Sequence, residues 1–204
     1  RLPAWMLRDQ ALAVSGLLVT TIGGPPVNGY QPAGVWEEAT FGKKTYAQDH
    51  GEALHRRSLY TFWRRIIAPT MFFDNASRQV CTVKAVRTNT PLHALLMLND
   101  VTFVEAARVL AEQMLKTPAN SDSERLRLVY ERVLCRAPTA AEESVLLSAL
   151  ERSRHEYAAD EQSAAQLLTI GEAARDGQLP TVDHAAWTAL CLAVLNLDET
   201  VTKE

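Results

Sequence analysis

Cysteine is scarce in this chain, which has only Cys81, Cys135 and Cys191 among its 204 residues. Three widely spaced cysteines exclude a disulfide framework and a thiolate metal cage, and they allow one bridge at most. The sequence has no Cys-x-x-Cys-His motif, so it offers no attachment site for a haem. Cys81 has no nucleophile signature nearby, and we expect it to be a small buried residue.

Long hydrophobic runs are also missing. The longest nearly uncharged apolar stretches cover residues 11–22 and 185–197, and both are shorter than the roughly 20 residues of a membrane-spanning helix. The sequence therefore predicts no membrane span. Hydrophobic residues nevertheless make up 47% of the chain, which is too much for a disordered protein and predicts a globular one.

The net charge of −3 conceals two regions of opposite sign. Residues 1–110 carry 12 Lys and Arg against 8 Asp and Glu, whereas residues 111–204 carry 9 against 16. We therefore divide the chain into a loop-rich, aromatic and basic region (1–116) and an acidic helical region (117–204). We expect both to belong to one structural domain, and the chain to be a fragment of a longer protein.

Glycine and aromatic residues are concentrated near the N-terminus. Seven of the nine glycines precede residue 52, and residues 23–51 show no sustained hydrophobic period. Tyr30, Trp36, Phe41 and Tyr46 provide apolar anchors there, which favours a long ordered loop over the alternative of a solvated linker.

The predicted fold class is mainly α, an irregular helical domain. After a helix over residues 3–20 and the loop, residues 56–67 fit either a helix or a strand, with a slight preference for helix. Apolar and polar residues alternate over 80–86, which is typical of a short strand. We therefore expect a short strand or hairpin within residues 56–86 of the otherwise helical domain.

Capping signals predict the later helices. Thr90 and Pro91 suit the N-cap and first position of one helix, and Asp100 suits the N-cap of the next. The stripe buried by this second helix should contain Phe103, Ala106, Ala107, Leu110 and Met114. Further helices are expected over residues 123–135, 139–157, 161–175 and 183–197, and Thr139 with Glu142 forms a predicted capping box.

The segment 56–65 is the most unusual candidate site, because four arginines alternate with aromatic residues. Guanidinium groups bind phosphate or carboxylate, and aromatic rings stack on other rings. Nucleic acid is one candidate ligand, and an acidic or sulfated polysaccharide is another. The candidate ligand-binding residues are Trp36, Arg56, Arg57, Tyr60, Trp63, Arg64, Arg65 and Arg87.

The favoured interpretation of this segment is nevertheless structural. In that interpretation Arg56, Arg57, Arg64 and Arg65 pair with the carboxylates of Glu37, Glu38, Asp49 and Asp74 while the aromatic residues pack in the core. Arg87 lies beside the Thr90 cap, where it could bind either a ligand anion or an internal carboxylate such as that of Asp100.

Catalytic signatures are weak. Glu37 and Glu38 lie in the aromatic loop and are the only candidates for a catalytic carboxylate pair, although adjacent carboxylates need a distant partner. Ser58 lacks the Gly-x-Ser-x-Gly turn of hydrolases. His50 and His55 are five residues apart, which places them on different helical faces, and no metal site is expected.

Several motifs occur in a fixed order along the chain. They are Arg8-Asp9-Gln10-Ala11-Leu12-Ala13, Ile22-Gly23-Gly24-Pro25-Pro26-Val27, Tyr30-Gln31-Pro32, Trp36-Glu37-Glu38, Arg56-Arg57-Ser58-Leu59-Tyr60-Thr61-Phe62-Trp63-Arg64-Arg65, Arg87-Thr88-Asn89-Thr90-Pro91-Leu92, Leu98-Asn99-Asp100 and Leu195-Asn196-Leu197-Asp198-Glu199. Together they resemble the planctomycete-type C-terminal domain of unknown function, which occurs in exported proteins beside a cytochrome-c-like module. His93 and Val101 depart from that pattern, in which Gln and Pro are usual.

The resemblance implies an extracytoplasmic location, periplasmic or at the cell surface, and this location favours an acidic or sulfated polysaccharide over nucleic acid as the ligand of the segment 56–65. It implies that the partners are other domains of the same parent protein, and that any haem belongs to a neighbouring module rather than to this chain. We therefore expect an uncharacterised helical module that serves assembly or ligand binding and is not an enzyme by itself. The alternative is a carbohydrate-active enzyme, or a module that binds acidic or sulfated glycans, using the residues 36–38 and 56–65.

Overall fold

The structure is a computed structural model, and it describes residues 1–64, 67, 72, 81, 83 and 88–203. Its helices in chain order are α1 (Ala4–Val14), α2 (Val35–Ala39), α3 (Pro91–Asn99), α4 (Val101–Lys116), α5 (Asp122–Leu134), α6 (Ala140–Ala159), α7 (Glu161–Leu167), α8 (Thr181–Leu195) and α9 (Asp198–Val201). Two 3-10 turns, Gly51–His55 and Ser58–Tyr60, lie between α2 and α3. The mainly α prediction is confirmed. Within the described residues, β structure is confined to isolated bridges.

Helices α4 and α8 form the centre of the core, and α1, α6 and α7 pack around them. All five residues of the predicted α4 stripe are buried, including Ala106 and Ala107, which are completely inaccessible. Small side chains at these positions allow another helix to approach closely. Helix α8 is apolar on most of its surface, and its Trp187 is also fully buried, as expected of a helix with neighbours on several sides.

One hydrophobic cluster joins elements from both halves of the sequence. It includes Leu7 of α1, Phe103 of α4, Val129 of α5, Trp187 of α8 and Val201 of α9. The electrostatic division between residues 1–116 and 117–204 therefore does not separate two cores. Within the described residues, no helix is both long enough and apolar enough to cross a membrane.

The predicted helix starts are largely confirmed. Asp100 caps α4, where its carboxylate accepts the Thr102 N–H at 2.9 Å. Thr139 and Glu142 form the expected capping box at α6. Pro91 begins α3, but the Thr90 side chain makes no capping hydrogen bond, so that part of the prediction is wrong.

The preference for a helix over residues 56–67 is also wrong. After the short turn at Ser58–Tyr60 the chain is extended, and it forms a parallel bridge between Thr61 and Val27. The Val27 N–H donates to the Tyr60 carbonyl at 2.7 Å, and the Phe62 N–H donates to the Val27 carbonyl at 2.7 Å. The N-terminal loop thus supplies backbone partners that sequence periodicity cannot reveal.

Three further expectations concern the strand over residues 80–86, the helix over 161–175 and the burial of Cys81. Most of the strand predicted over residues 80–86 lies outside the described residues. The helix predicted over 161–175 ends at Leu167, because residues 170–176 turn to meet α4. All three cysteines are free, and Cys81 is exposed rather than buried as expected.

The loop over residues 23–51 is ordered around Trp36, which is only 5% exposed. The ring of Trp36 stacks on Tyr46 and Phe62 at centroid distances of 5.2 and 5.9 Å. Asn28 and Asp49 close the loop, since the Asn28 N–H donates to the Asp49 carboxylate at 2.7 Å. The short helix α2, which carries Trp36, was not predicted.

The two threonine caps give a matched stability test. We expect Thr139→Ala to lower the free energy of unfolding by about 1 kcal/mol, because it removes an N-cap hydrogen bond. Thr90→Ala should change it by less than about 0.5 kcal/mol, since the Thr90 hydroxyl caps nothing. Urea unfolding of both variants measures the difference, and equal losses would contradict this assignment of the caps.

Candidate functional site

A fully buried carboxylate, that of Glu105 on α4, connects the N-terminal loop to the C-terminal half. Its Oε1 accepts the backbone N–H groups of Glu172 and Ala173 at 2.7 and 2.6 Å. Its Oε2 lies 3.1 Å from the Tyr30 hydroxyl, which donates to it, and 3.0 Å from His55 Nε2. Four donors from three distant parts of the chain therefore converge on one side chain.

The same face of α4 binds the rest of the turn that follows α7. Arg108, one helical turn after Glu105, donates to the carbonyl oxygens of Ile170 and Ala173 at 3.3 and 2.6 Å. Glu112, another turn further, accepts the Asp176 N–H at 3.1 Å. The spacing i, i+3 and i+7 places these three side chains along one face. A charged stripe thus holds a backbone turn that has no regular secondary structure.

Hydrogen bonding keeps Glu105 ionised in spite of its burial. Burial by itself, the largest influence, raises the pKa of this carboxyl group, but hydrogen bonds from His55, Ala173 and Glu172 together hold the pKa below its usual value. The pKa of Tyr30 is raised, first by burial and then by the negative charge of Glu105. Tyr30 therefore remains a neutral donor. The arrangement is a closed set of satisfied groups and leaves no exposed acid or base.

A second network fastens α1 to the segment 54–58. Arg8 is 1% exposed, and its guanidinium donates to the carbonyl oxygens of Leu54 and Arg56 at 2.6 and 2.8 Å. Its neighbour Asp9 uses Oδ1 to accept both the N–H and the hydroxyl of Ser58, at 2.8 and 2.7 Å. Burial lowers the pKa of Arg8. The Ser58 hydroxyl is thus occupied by a carboxylate and is not set up as a nucleophile.

Arg56 turns inward and binds backbone rather than the carboxylates proposed as its partners. Its guanidinium donates to the carbonyl oxygens of Pro25 at 2.9 Å and of Gly23, and lies 4.0 Å from the centre of the Tyr60 ring. The expected pairing of Arg56 with Glu37, Glu38 or Asp49 is therefore wrong. The guanidinium of Arg56 is part-buried beside the carbonyl groups of the loop, so it binds these carbonyls instead of the carboxylates.

A pocket of about 390 Å³ lies beside the second network, between α1 and residues 57–63. Trp5, Trp63 and Phe72 supply its aromatic surface, and Asp9, Arg57 and Ser58 supply its polar groups. We call it the Arg57 pocket. Trp5 and Asp9 lie four residues apart on α1, so they share one helical face. The volume is within the usual range of small-ligand sites.

Arg57 and Asp9 each bring to the Arg57 pocket a polar group that has no partner within the described part of the chain, and so does Thr61 with its buried hydroxyl. Arg57 is exposed, and its guanidinium makes no hydrogen bond or ion pair with any described residue. Asp9 uses Oδ1 for Ser58 and Arg8, whereas its Oδ2 accepts no hydrogen bond from a described residue. Among the described residues, the pocket therefore presents the Arg57 cation, the free Asp9 oxygen, the Thr61 hydroxyl and an aromatic surface.

The other candidate residues are dispersed. The Arg64 guanidinium lies 5.6 Å from the centre of the Trp36 ring, and neither residue lines the Arg57 pocket. Glu37 and Glu38 lie on α2, and neither lines this pocket or forms an ion pair with a described residue. Arg65, Arg87 and Asp74 are outside the described residues.

His50 and His55 contact two different carboxylates. His50 Nδ1 lies 2.7 Å from Glu172 Oε1, and His55 contacts Glu105. No group of three or more potential metal ligands occurs among the residues that the structure describes.

Sequence analysis missed the residues that organise this region. Glu105 and Arg108 are charged residues inside the predicted buried stripe of α4, which is the signal that could have identified them. Trp5 and Asp9 could have been paired by their spacing on α1. No sequence pattern indicated that Phe72 would approach Trp63, whose ring centre is 5.7 Å away.

The fold and the pocket define a mainly helical module stabilised by buried ion and backbone contacts. The family model described as PSD1, protein of unknown function (DUF1553), matches residues 1–150, and the chain therefore belongs to this family. No curated protein and no solved structure matches the chain. The family match ends inside α6, yet α8 beyond it packs at the centre of the core.

Gly171 should be essential for the contact between α4 and the turn after α7. Its φ is +87°, and a Cβ there would lie 2.5 Å from Glu105 Cδ. We expect Gly171→Ala to lower the free energy of unfolding by about 2 kcal/mol or more, since backbone strain and overpacking add. Gly177→Ala is the matched control, because its Cβ meets nothing within 4 Å. Denaturant unfolding measures both, and equal losses would contradict the argument.

The charge of Glu105 should make stability depend on pH. Since the folded-state pKa is lowered, ionised Glu105 stabilises the protein above the unfolded-state pKa of about 4.3, and this contribution is lost as pH falls through the folded value. Glu105→Gln should therefore cost about 3 kcal/mol at pH 7 and progressively less in acid. Urea unfolding at pH 7 and below pH 4 measures this, and a pH-independent difference would disprove it.

Proposed function

We propose that this chain is a ligand-binding module, without catalytic activity of its own, in an exported multidomain protein that also carries a cytochrome-c-like module. The ordered motif resemblance supports the export and the neighbouring module. The binding role is supported by one observation above all, the Arg57 pocket, which combines three aromatic residues with a guanidinium that pairs with no described residue. The expected partners are the other domains of the parent protein and an anionic ligand.

The absence of catalysis is supported by how the reactive side chains are used. His55 hydrogen-bonds to the buried Glu105, and the Ser58 hydroxyl donates to Asp9. These groups fix the N-terminal segment to α1 and α4. A catalytic acid or base must reach the substrate, and neither His55 nor Glu105 lines the Arg57 pocket.

An unpaired guanidinium on an open surface favours an anion as ligand. Arginine presents a planar set of donors that matches carboxylate and phosphate groups. The aromatic residues beside it favour a ligand that also has a ring or apolar face. The alternative of a carbohydrate-active enzyme depends on Glu37 and Glu38. Neither residue lines the Arg57 pocket.

Affinity gel electrophoresis of the 204-residue chain tests the proposal. Gels contain polygalacturonate, dextran sulfate or neutral dextran, at low and at moderate salt. We expect at least one anionic polymer to retard the protein more than neutral dextran, and Arg57→Ala to reduce the retardation. We expect no release of reducing ends from any polymer.

Arg152→Ala is the matched control, because Arg152 is an exposed arginine on α6 with no ion pair to a described residue. It makes the same change in net charge without touching the pocket. Equal mobility in all three gels would overturn the proposal. So would release of reducing ends that Glu37→Gln or Glu38→Gln abolishes, or the same loss of retardation in both arginine variants.

A further inference from the structure

We propose that the Arg57 pocket binds a uronic acid, a pyranose ring that bears one carboxylate, and does so by its ring face, its charge and one hydroxyl at once. This inference rests on the proposed binding function and names the ligand class for the same site. Three independent features of the pocket support it.

The first feature is the aromatic surface. Trp5 is 37% exposed in the first turn of α1, and Trp63 and Phe72, whose ring centres are 5.7 Å apart, also line the pocket. An exposed Trp has a large rigid face with little side-chain entropy to lose. The apolar C–H face of a pyranose is flat and complements such a ring.

The second feature is the balance of charge. Among the described residues that line the pocket, Arg57 supplies the one guanidinium, which is unpaired, and Asp9 supplies the one carboxylate. A ligand with a single negative charge can pair with Arg57 through both carboxylate oxygens. A densely charged ligand would instead bring several negative groups close to Asp9, and like charges at close range repel. The pocket therefore selects a monoanionic ring.

The third feature is the free oxygen of Asp9. Its Oδ1 is held by Ser58 and faces Arg8 at 3.6 Å, so the carboxylate has a fixed position. Its Oδ2 accepts no hydrogen bond from a described residue and is available to a hydroxyl donor. Sugar hydroxyls donate, whereas a carboxylate or a sulfate ester group cannot. Asp9 thus accepts a hydrogen bond from a hydroxyl group of the ring, while Arg57 pairs with the carboxylate of the same ring.

The residue next to Asp9 on α1 fixes that helix to the segment that carries Arg57. Asp9 and Arg8 are neighbours on α1, and Arg8 is held by the carbonyl groups of Leu54 and Arg56. The Arg8 contacts therefore set the distance between α1 and Arg57. The pocket is built by the same network that orders the segment, which makes it preorganised.

Isothermal titration with trigalacturonate tests the inference, with the uncharged galactose trimer and a sulfated galactose trimer as the other ligands. We expect the wild-type chain to bind trigalacturonate at least about tenfold more tightly than either. Arg57→Ala should weaken trigalacturonate binding about 10- to 100-fold, the loss of a charge-assisted pair. Arg57→Lys should restore only part of it, since a lysine has no planar fork.

Trp5→Ala tests the stacking surface, and Phe41→Ala is its matched control because Phe41 is 92% exposed and does not line the pocket. Trp5→Ala should weaken binding of trigalacturonate about tenfold or more, whereas Phe41→Ala and Arg152→Ala should leave it unchanged. Circular dichroism and thermal melting confirm that each variant is folded.

The possible failures are distinguishable. If the sulfated trimer or dextran sulfate binds through Arg57 and trigalacturonate does not, the uronic acid inference is overturned while the binding function stands. Equal binding of charged and uncharged trimers overturns the role of Arg57. If none of the polymers or oligomers binds, both the inference and the proposed function fall.

Discussion

The carboxylate of Glu105 is buried on helix α4, which also contributes apolar side chains to the core, and it binds two backbone amides, a tyrosine hydroxyl and a histidine. An isolated buried charge is very costly, but one that receives several hydrogen bonds is stabilised, and removing its partners is expensive. These partners come from the N-terminal loop, the 3-10 turn before Arg56 and the turn after α7. The relative placement of the N-terminal segment and the C-terminal helices therefore depends on this side chain.

The Arg57 pocket likewise depends on which charged side chains bind groups inside the protein and which remain exposed. Arg8 and Asp9 are adjacent, but the helix directs them differently: Arg8 binds carbonyl groups in the interior, and Asp9 binds Ser58 at the edge of the pocket. The guanidinium of Arg56 likewise donates to carbonyl groups of the loop, whereas the neighbouring Arg57 is exposed. These two adjacent arginines thus have different environments: Arg56 is buried among backbone carbonyls, and Arg57 is exposed at the pocket.

Sequence reasoning succeeded where the controlling interactions are local. The α4 stripe, the Asp100 cap and the Thr139 capping box depend on residues within a few positions, so periodicity and cap chemistry predicted them. It failed for residues 56–67 and for the end of α7, where the partners are Val27 and the α4 face, distant in sequence. The candidate site was predicted in part: Arg57 and Trp63 meet in one pocket, whereas Trp36, Arg64, Glu37 and Glu38 lie elsewhere. Whether any of them binds a ligand remains a prediction.

The sequence by itself determined the mainly helical class, most helix boundaries, the ordered aromatic loop and the basic character of the segment that contains Arg57. These follow from side-chain periodicity, capping groups and composition, which act over short distances. Only the tertiary structure decided which arginine is buried and which is available, because that depends on where backbone carbonyls of a distant loop lie. It also decided that Glu105, an apparently misplaced charge in a buried stripe, joins the two halves of the chain.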